Sequence, residues 1–238
     1  MTKLEMKFFV GTSGWLYDWN LGGDFRWFVE NSGLNAVELN ASFYRFPFPN
    51  QVAGWARRGK HLRWSIKVNQ LITHVFKFGE RALKSWERFK ELFQPLDEAI
   101  DFYLFQLPPG YGPKNSSVLG RFIKRVDLGE RFALEVRSPE WYDEKWIEWA
   151  RNLGITWVSV DCPDFPDDVY VTSGLIYERA HGRTAWYCHC YSDEELLEIL
   201  QKILAAEGKA AYIFFNNNHD MLNNARRMLE LIRLESKG

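Results

Sequence analysis

The chain has 238 residues, a length that suits one large domain or two small ones, and 46% of them are hydrophobic, enough for a sizeable core. Its formal net charge of −1 gives no overall attraction to nucleic acid or to an anionic membrane, although it leaves room for a local basic patch. The first residues hold no apolar signal segment, no apolar run approaches ~18 residues, and the odd number of cysteines forms no disulfide framework. We therefore expect a cytoplasmic protein without membrane association.

In chain order, the sequence alternates β-like segments with helical ones. Eight short segments rich in branched or aromatic residues predict strands at Lys7–Ser13, Ala36–Ser42, Leu62–Asn69, Asp101–Leu107, Arg131–Arg137, Thr156–Cys162, Ile176–His181 and Ala210–Asn217. Apolar spacing and capping signals predict helices at Asp24–Ser32, Asn50–Arg58, Glu80–Ala99, Ser116–Arg125, Asp143–Asn152, Ser192–Ala206 and Asp220–Leu234. Only the short connection between Cys162 and Leu175, rich in proline and aspartate, lacks a helical signal.

Eight strands joined by crossover segments imply parallel pairing. Their number, the chain length and the alternation predict a single α/β domain over residues 1–238. We expect a closed (β/α)8 TIM barrel with eight parallel strands and one short, irregular βα connection. The alternative is an open doubly wound sheet, which needs a phosphate-binding G-x-G-x-x-G after its first strand. The sequence Gly11-Thr12-Ser13-Gly14 does not match that pattern.

Five of the predicted strands end in two polar residues that are two positions apart. These pairs are Glu38/Asn40, Lys67/Asn69, Glu135/Arg137, Ser159/Asp161 and Arg179/His181. Residues i and i+2 of a strand point to the same face, so each pair aims at one place. In a barrel that place is the C-terminal face, where the active site forms, and the ring is completed by Gln106, Asn216, Asn217 and Asn218. The alternative is a set of buried ion pairs that neutralise one another without a further role.

The residue types in this ring predict a small anionic or polyhydroxylated ligand. Arginine supplies a planar fork for carboxylate or phosphate, and side-chain amides offer donors and acceptors to sugar-like hydroxyls. The predicted ligand-binding cations are Lys67, Arg137 and Arg179, and the predicted ligand-binding amides are Asn40, Asn69, Gln106, Asn216 and Asn217, with Asp161 beside them. Glu38 and Glu135 are the acid/base candidates, and His181 is the third because its ordinary pKa lies near neutrality.

Loops after the strands supply further candidates for ligand contact. Gly11–Trp15 predicts a turn that offers backbone N–H groups and Ser13 to an anion and Trp15 as a stacking wall, the alternative being a tight strand-to-helix turn. His74 follows the third strand and is placed either to reach the pocket mouth or to make a loop hydrogen bond. Trp141, after the fifth strand, is a candidate lid or stacking residue.

Three functions fit these residues. The leading one is an enzyme of isomerase, lyase or hydrolase type that uses acid/base chemistry on a small anionic or sugar-like substrate. The second is metal-assisted phosphodiester cleavage or nucleic-acid binding, as in barrels that cut DNA at abasic sites; a divalent metal is disfavoured because no H-x-H or H-E-x-x-H occurs and three cations compete. The third is non-catalytic binding of a small molecule. No cofactor is predicted, and the oligomeric state is left open.

Eight short motifs follow one another along the chain: GTSGW at 11–15, VELNASFYR at 37–45, TH at 73–74, FQLPP at 105–109, EVRSPEW at 135–141, Asp161, ERAHG at 178–182 and FFNNN at 214–218. Together they resemble the family known as domain of unknown function 72, also called YecE-like. The resemblance implies a TIM barrel with its site at these motifs, and it implies no particular reaction. Family members commonly carry a histidine directly after the arginine of the fifth strand, where this chain has Ser138, so any role of that histidine does not carry over.

Overall fold

A computed structural model of the protein describes residues 6–236. Within them, eight parallel strands form one sheet: β1 (Lys7–Thr12), β2 (Ala36–Leu39), β3 (Arg63–Lys67), β4 (Ile100–Gln106), β5 (Phe132–Glu135), β6 (Thr156–Asp161), β7 (Leu175–Ala180) and β8 (Ala210–Phe215). The strand order is β1-β8-β7-β6-β5-β4-β3-β2, and a parallel bridge between Ser13 and Glu38 joins its two ends. The predicted (β/α)8 barrel is confirmed.

Helices follow seven of the strands in the described part of the chain. They are α1 (Phe25–Asn31), α2 (Pro49–Arg58), α3 (Glu80–Phe93), α4 (Ser116–Val126), α5 (Glu144–Asn152), α6 (Asp193–Ala205) and α7 (Met221–Glu235). The connection from β6 to β7 contains no helix among these residues, which confirms the predicted irregular connection. No helix within residues 6–236 combines the length and the apolar character needed to cross a membrane.

Local sequence sets the helix ends. Asp24 accepts a hydrogen bond from the backbone N–H of Trp27 at 2.8 Å and begins α1, and Ser192 begins α6 with the predicted capping box. The helix predicted over residues 80–99 ends earlier, at Phe93, and continues as a 3₁₀-helix over Gln94–Ala99. Pro95 has no N–H to donate, so the α-helical hydrogen-bond pattern cannot pass through it.

The barrel closes where β1 meets β2, and side chains replace part of the backbone pairing there. The Asn35 amide accepts from the N–H of Val10 at 2.7 Å and donates to the carbonyl of Phe8 at 2.9 Å. A Cβ on Gly11 would lie 2.4 Å from the carbonyl oxygen of Ala36, far inside van der Waals contact. Glycine at position 11 therefore permits the close approach of the two strands that brings Ser13 beside Glu38.

Apolar side chains form two cores, one between the sheet and the helices and one inside the barrel. In the inner core, the ring of Phe102 packs against Tyr177 and Tyr212, with centroid separations of 4.9 and 4.7 Å, and Phe214 lies 5.1 Å from Tyr177. Burial of each ring contributes roughly 1.5–3 kcal/mol. Aromatic rings thus fill the middle of the barrel and lie beneath the polar side chains at the carboxyl ends of the strands.

Candidate functional site

Arg179 lies at the centre of this polar layer and joins three strands. It donates from Nε to Glu38 Oε2 at 3.0 Å and from Nη2 to Glu38 Oε1 at 2.6 Å, while Nη1 bonds Glu135 Oε2. Burial by itself lowers the pKa of Arg179, but the carboxylates of Glu135 and Glu38 outweigh burial and raise it above its usual value. Because two carboxylates occupy this guanidinium and its side chain is fully buried, Arg179 does not fit the predicted role of holding a substrate anion.

Glu38 accepts four hydrogen bonds. Besides the two from Arg179, Ser13 Oγ donates to Oε1 at 2.6 Å and the hydroxyl of Tyr177 donates to Oε2 at 2.5 Å. A carboxylate offers about four acceptor positions, so these contacts leave none for a substrate proton. The contacts of Glu38 and Ser13 therefore give both residues a positioning role around Arg179, in place of the predicted acid/base and ligand-binding roles.

Glu135 lies between two arginines. Its Oε2 bonds Arg179, and its Oε1 forms an ion pair with Arg137 Nη2. Burial raises the pKa of Glu135, but Arg137, Arg179 and Lys67 outweigh burial and lower the pKa below its usual value. Glu135 is therefore ionised near neutral pH and is a poor match for the predicted acid/base role.

His181 is a neutral imidazole in this arrangement. Its Nε2 lies 3.3 Å from Arg179 Nη1 and 3.4 Å from Arg137 Nη2, and guanidinium groups only donate. Nε2 must therefore accept, which places the ring hydrogen on Nδ1; the neighbouring Asn216 Nδ2, 3.2 Å away, also only donates, so this contact is a hydrogen bond only with the Asn216 amide turned to present its oxygen. Burial, followed by the charges of Arg179, Arg137 and Lys67, lowers the pKa of His181 well below its usual value. The predicted proton-transfer role of His181 is disfavoured by these contacts.

Lys67 ends β3 inside the barrel and differs from the two arginines in its partners. Within residues 6–236, no carboxylate oxygen lies within 4.0 Å of its Nζ, which sits 4.7 Å from the centre of the Phe43 ring. Burial, reinforced by the positive charge of Arg179, lowers the pKa of Lys67 to about 8 although Glu135 and Glu38 act in the opposite direction. The residue as a whole is half-buried, and it ends β3 at the edge of the sheet where the polar layer lies.

Arg137 lies at the rim of the polar layer. Its guanidinium carbon is 4.5 Å from the centre of the Trp186 ring, and its side chain is 9% exposed. One guanidinium nitrogen pairs with Glu135, while Nε is buried and has no hydrogen-bond partner within residues 6–236. Arg137 is therefore the better placed of the two arginines to contact an anionic ligand.

The rim also contains Asn40, Gln106 and His74 from three different strands or loops. Asn40 Nδ2 donates to the carbonyl of Ser13 at 3.5 Å, and its Oδ1 is buried without a partner in the described chain. Gln106 ends β4 in register with Glu135. The His74 ring is 5.0 Å from that of Phe43, and burial and the nearby charge of Lys67 lower its pKa. All three predicted residues lie close to the ring of charged groups.

Two of the predicted asparagines hold loops together. Asn69 donates to the carbonyl of Ser42 at 2.8 Å and accepts from the N–H of Leu71 at 3.0 Å. Asn217 donates to the carbonyl of His189 at 2.6 Å and to Asn224 Oδ1 at 2.8 Å. These contacts correct the assignment of Asn69 and Asn217 as ligand-binding residues, whereas Asn216 does enter the site through its contact with His181.

The sequence prediction placed the wrong face of β6 towards the barrel interior. The side chains of Val158, Val160 and Cys162 belong to the core inside the barrel. Asp161 accordingly points outward, where it accepts from Arg183 Nε at 2.8 Å and from the Tyr191 hydroxyl at 2.7 Å. Asp161 is thus removed from the predicted site.

Both predicted tryptophans lie in the outer core. The ring of Trp15 is 4.7 Å from that of Phe25, and its side chain is 6% exposed. Trp141 is fully buried, and its indole N–H donates to the carbonyl of Tyr111 at 2.7 Å. Trp141 therefore cannot serve as the predicted lid, whereas Trp15 packs against neighbouring rings and also lines the cavity beside the β1–β2 end of the site, so its predicted role as a stacking wall stays a prediction.

The structure adds site residues that the sequence patterns did not single out. Tyr177 precedes Arg179 by two positions, so the same alternation that located Arg179 and His181 could have located it. Its hydroxyl bonds Glu38 and lies 2.6 Å from Ser65 Oγ. Phe43 ends a short 3₁₀-helix (Ala41–Phe43) and Trp186 lies in a loop, and in neither segment does a periodic signal mark the inward face.

A cavity of about 320 Å³ opens beside the β1–β2 end of the site. Its walls are mainly apolar, and they include Ser13, Tyr17, Asn40, Tyr44 and Trp55. The hydroxyl of Tyr17 donates to the carbonyl of Ser13 at 3.3 Å. This cavity extends the candidate site from the charged ring towards α2.

Within residues 6–236, no group of three or more histidine, cysteine, aspartate or glutamate side chains is arranged to hold a metal ion. The carboxylates that the metal alternative relied on, Glu38, Glu135 and Asp161, are all bonded to arginines. The donor set of the barrel layer therefore fits bound anions better than a divalent cation.

The family model described as "Protein of unknown function DUF72" matches residues 9–238. The chain belongs to this family. The resemblance inferred from the ordered motifs is thereby confirmed.

Two curated relatives and a solved structure match this chain at low sequence identity. The UPF0759 protein YecE of Escherichia coli strain K12 is 27% identical over 127 residues, which make up 51% of this chain and 45% of YecE, so the match spans less than half of that protein. The UPF0759 protein YunF of Bacillus subtilis strain 168 is 23% identical, with 97% of this chain and 96% of YunF covered. The crystal structure of a DUF72 family protein from Thermotoga maritima MSB8 is 27% identical, with a TM-score of 0.84 over 95% of this chain and 99% of that one.

The chemistry available to this DUF72 site follows from its charges. Lys67, Arg137 and Arg179 outnumber the two carboxylates, Glu38 and Glu135, and His181 is neutral. The layer therefore carries surplus positive charge that suits an anionic ligand. Among these groups, Lys67 is the one whose protonation can change near neutral pH without breaking an ion pair.

Proposed function

We propose that this protein is an enzyme that transfers protons to and from a small anionic or polyhydroxylated substrate at the C-terminal face of the barrel. Lys67 carries this proposal: it ends β3 on a half-buried side chain, its amine has a pKa lowered to about 8, and no carboxylate oxygen lies within 4.0 Å of it in the described chain. A group with a pKa near the working pH is the most effective acid/base catalyst. We thus assign proton transfer to Lys67 instead of to Glu38 and Glu135.

The remaining residues of the site bind the substrate and fix its position. Arg137 binds an anionic group at the rim, with the Trp186 ring beneath the guanidinium. Asn40 and Gln106 supply amides for hydroxyl or carbonyl oxygens. Arg179, Glu38 and Glu135 form a fixed charged floor whose hydrogen bonds are already made, which spares the reorganisation that a mobile site would need.

At pH 7, a lysine with a pKa of about 8 is neutral in roughly a tenth of the molecules, compared with less than about one in a thousand for an ordinary lysine. This neutral amine can remove a proton from carbon next to a carbonyl group, and the ammonium form can return it. Such a cycle serves isomerisation and elimination alike. The three cysteines of the protein are free, and we place the reaction in the reducing cytoplasm.

Exchange of substrate hydrogen for solvent deuterium tests this function without knowledge of the product. The protein is incubated in D2O with a panel of sugar phosphates, hydroxy acids and oxo acids, and loss of carbon-bound proton signals is followed by NMR. We expect exchange with at least one member, loss of that exchange in Lys67→Met, and full exchange in Lys114→Met, which alters an exposed lysine. Exchange that survives unchanged in Lys67→Met would refute the assignment of the base.

A non-catalytic binding protein is the competing proposal, favoured by the four hydrogen bonds of Glu38 and by the ion pairs of Glu135 with Arg137 and Arg179. A non-catalytic binding protein needs the surplus positive charge to attract an anion, but it does not need an amine that deprotonates near pH 8. It would show saturable binding of an anion from the same panel, without exchange of carbon-bound hydrogen. The same NMR samples separate the two functions.

A further inference from the structure

We infer that Lys67 is a nucleophile that forms a covalent imine with an aldehyde or ketone whose anionic group lies beside Arg137. This inference rests on the proposed function and names its substrate class as small carbonyl compounds that carry a carboxylate or phosphate. Its basis is the position of one amine, without a carboxylate oxygen within 4.0 Å in the described chain, near Arg179 and Arg137 at the carboxyl ends of the strands.

The surroundings of Lys67 differ from those of a lysine held in salt bridges. On the outer surface, Lys202 Nζ lies 2.5 Å from Asp167 Oδ2 and 3.2 Å from Glu198 Oε1, and both contacts stabilise its charged form. Lys67 has no carboxylate oxygen within 4.0 Å in the described chain. Its nitrogen lone pair is therefore available once the proton leaves.

Two neighbouring cations help that proton to leave. Burial is the largest effect that lowers the pKa of Lys67; Arg179 and Arg137 add to it, and Glu135 and Glu38 act in the opposite direction. Neither arginine can lose its own proton in the working pH range. A lysine beside another cationic group in a desolvated pocket is a known way to obtain a nucleophilic amine. The face of the Phe43 ring, 4.7 Å from Nζ, favours the ammonium form, so release of the proton depends on burial and on the two arginines.

The reaction is balanced by the loss of water. The lone pair of Lys67 attacks the carbonyl carbon, the C=O π electrons move to oxygen, and one proton passes from nitrogen to oxygen to give a carbinolamine. Departure of that oxygen with a further proton as water forms the C=N bond. The protonated imine then draws electrons from the adjacent carbon–hydrogen or carbon–carbon bond, which ties this step to the proton transfer proposed above.

Charge in the barrel favours this intermediate. A protonated imine carries the same single positive charge as the ammonium group that it replaces, so Glu38, Glu135 and Arg179 keep their contacts. Binding of the substrate anion beside Arg137 compensates the surplus positive charge of the layer. Neither change requires a buried group to lose its partner, which would cost several kcal/mol.

Reductive trapping on the intact protein tests the inference. Wild-type protein is treated with glyoxylate or with dihydroxyacetone phosphate in the presence of cyanoborohydride, and the modified lysines are located by peptide mass spectrometry. We expect the secondary-amine adduct on Lys67 to exceed that on the exposed Lys114 by ~10-fold or more at pH 7.5, because a larger fraction of Lys67 is neutral. Inorganic phosphate should protect Lys67 by competing for Arg137.

Two variants serve as controls. Lys67→Arg keeps the charge and should lose the adduct, whereas Lys202→Arg alters a salt-bridged lysine and should leave trapping on Lys67 unchanged. Equal labelling of Lys67 and Lys114 in the wild-type protein overturns the inference even if Lys67→Arg fails to fold. Absence of the adduct together with Lys67-dependent deuterium exchange overturns the imine alone and leaves the proposed function standing, while loss of both overturns both.

Discussion

Arg179 and Glu38 form a two-point contact across the barrel, with Nε–Oε2 at 3.0 Å and Nη2–Oε1 at 2.6 Å. They lie on β7 and β2, which are not neighbours in the strand order, so the contact spans the barrel interior. Glu135 on β5 bonds the same guanidinium. A single arginine thereby connects three strands at the level of the site, and its charge permits two carboxylates to be buried there.

Replacing Arg179 with methionine should strongly destabilise the protein. The substitution leaves Glu38 and Glu135 without their shared cation in a fully buried position, and loss of one partner from such a network costs about 3–5 kcal/mol. We expect a corresponding decrease in the free energy of unfolding, measured by urea denaturation at pH 7. The matched control is Arg227→Met, which removes exposed ion pairs with Asp193 and Glu230 and should leave the urea midpoint nearly unchanged. Equal effects of the two substitutions would contradict the structural role of Arg179.

We expect alanine substitutions at Gly11, where the barrel closes, and at Gly54, inside α2, to have opposite effects on stability. In Gly11→Ala, the added Cβ would lie 2.4 Å from the Ala36 carbonyl oxygen, so β1 and β2 must separate at a cost of about 1–3 kcal/mol or more. In Gly54→Ala, inside α2, the nearest atom is Arg58 Nη1 at 3.6 Å, and the higher helix propensity of alanine should stabilise the protein by about 0.5–1 kcal/mol. Thermal unfolding of both variants checks the signs, and a stabilised Gly11→Ala would rule out the proposed close approach.

Removal of the Arg137 side chain should mainly weaken substrate binding. Arg137 lies at the rim of the polar layer, and Glu135 keeps its contact with Arg179 when the Arg137 side chain is absent. Hydrogen bonds to charged groups contribute about 1.5–3 kcal/mol, so Arg137→Ala should raise KM for an anionic substrate about 10–100-fold, with a smaller effect on kcat. The measurement is the concentration dependence of deuterium exchange, repeated with a neutral analogue of the same substrate. An equal loss for the anionic and neutral compounds would assign Arg137 a role other than anion binding.

The number of strands and their alternation with helices were sufficient to predict the fold, and the alternation of residues along β2, β5 and β7 predicted much of the site. Glu38, Glu135, Arg137, Arg179 and His181 all lie in the inward layer because residues two apart in a strand share a face. The same rule failed for β6, since strands buried on both faces do not show which face is inward. Asp161 is polar yet points outward, where Arg183 and Tyr191 satisfy it.

The pairing of charges could not be predicted from the sequence. Which carboxylate meets which cation depends on the register of strands that are far apart in the chain, and Arg179 takes both Glu38 and Glu135. Lys67 is left without a carboxylate only because of that outcome. Trp186, which stacks on Arg137, comes from an irregular loop after β7 that carries no periodic signal. The proposed catalytic role of Lys67 could therefore be inferred only from the contacts of the folded protein.

The lowered pKa of Lys67 gives the stability of the protein a defined dependence on pH. In the unfolded chain this lysine keeps its proton up to its ordinary value of 10.5, whereas in the folded protein it releases the proton near pH 8. Between these values the unfolded state binds more protons, so the contribution of Lys67 to stability rises with pH. Below pH 8, the folded protein instead carries an unfavourable buried charge.

Lys67→Met should accordingly increase the free energy of unfolding at pH 7 by about 2–3 kcal/mol, and this gain should shrink towards zero near pH 10. Urea denaturation of the variant and the wild type at both pH values gives the two differences, in which other titrating groups cancel. Lys202→Met provides a control of opposite sign. Burial lowers the pKa of Lys202, but Asp167 and Glu198 outweigh burial and raise it, so this variant should lose stability at pH 7. A gain from Lys67→Met that is the same at pH 7 and pH 10 would mean that packing, and not the charge on Lys67, sets its effect on stability.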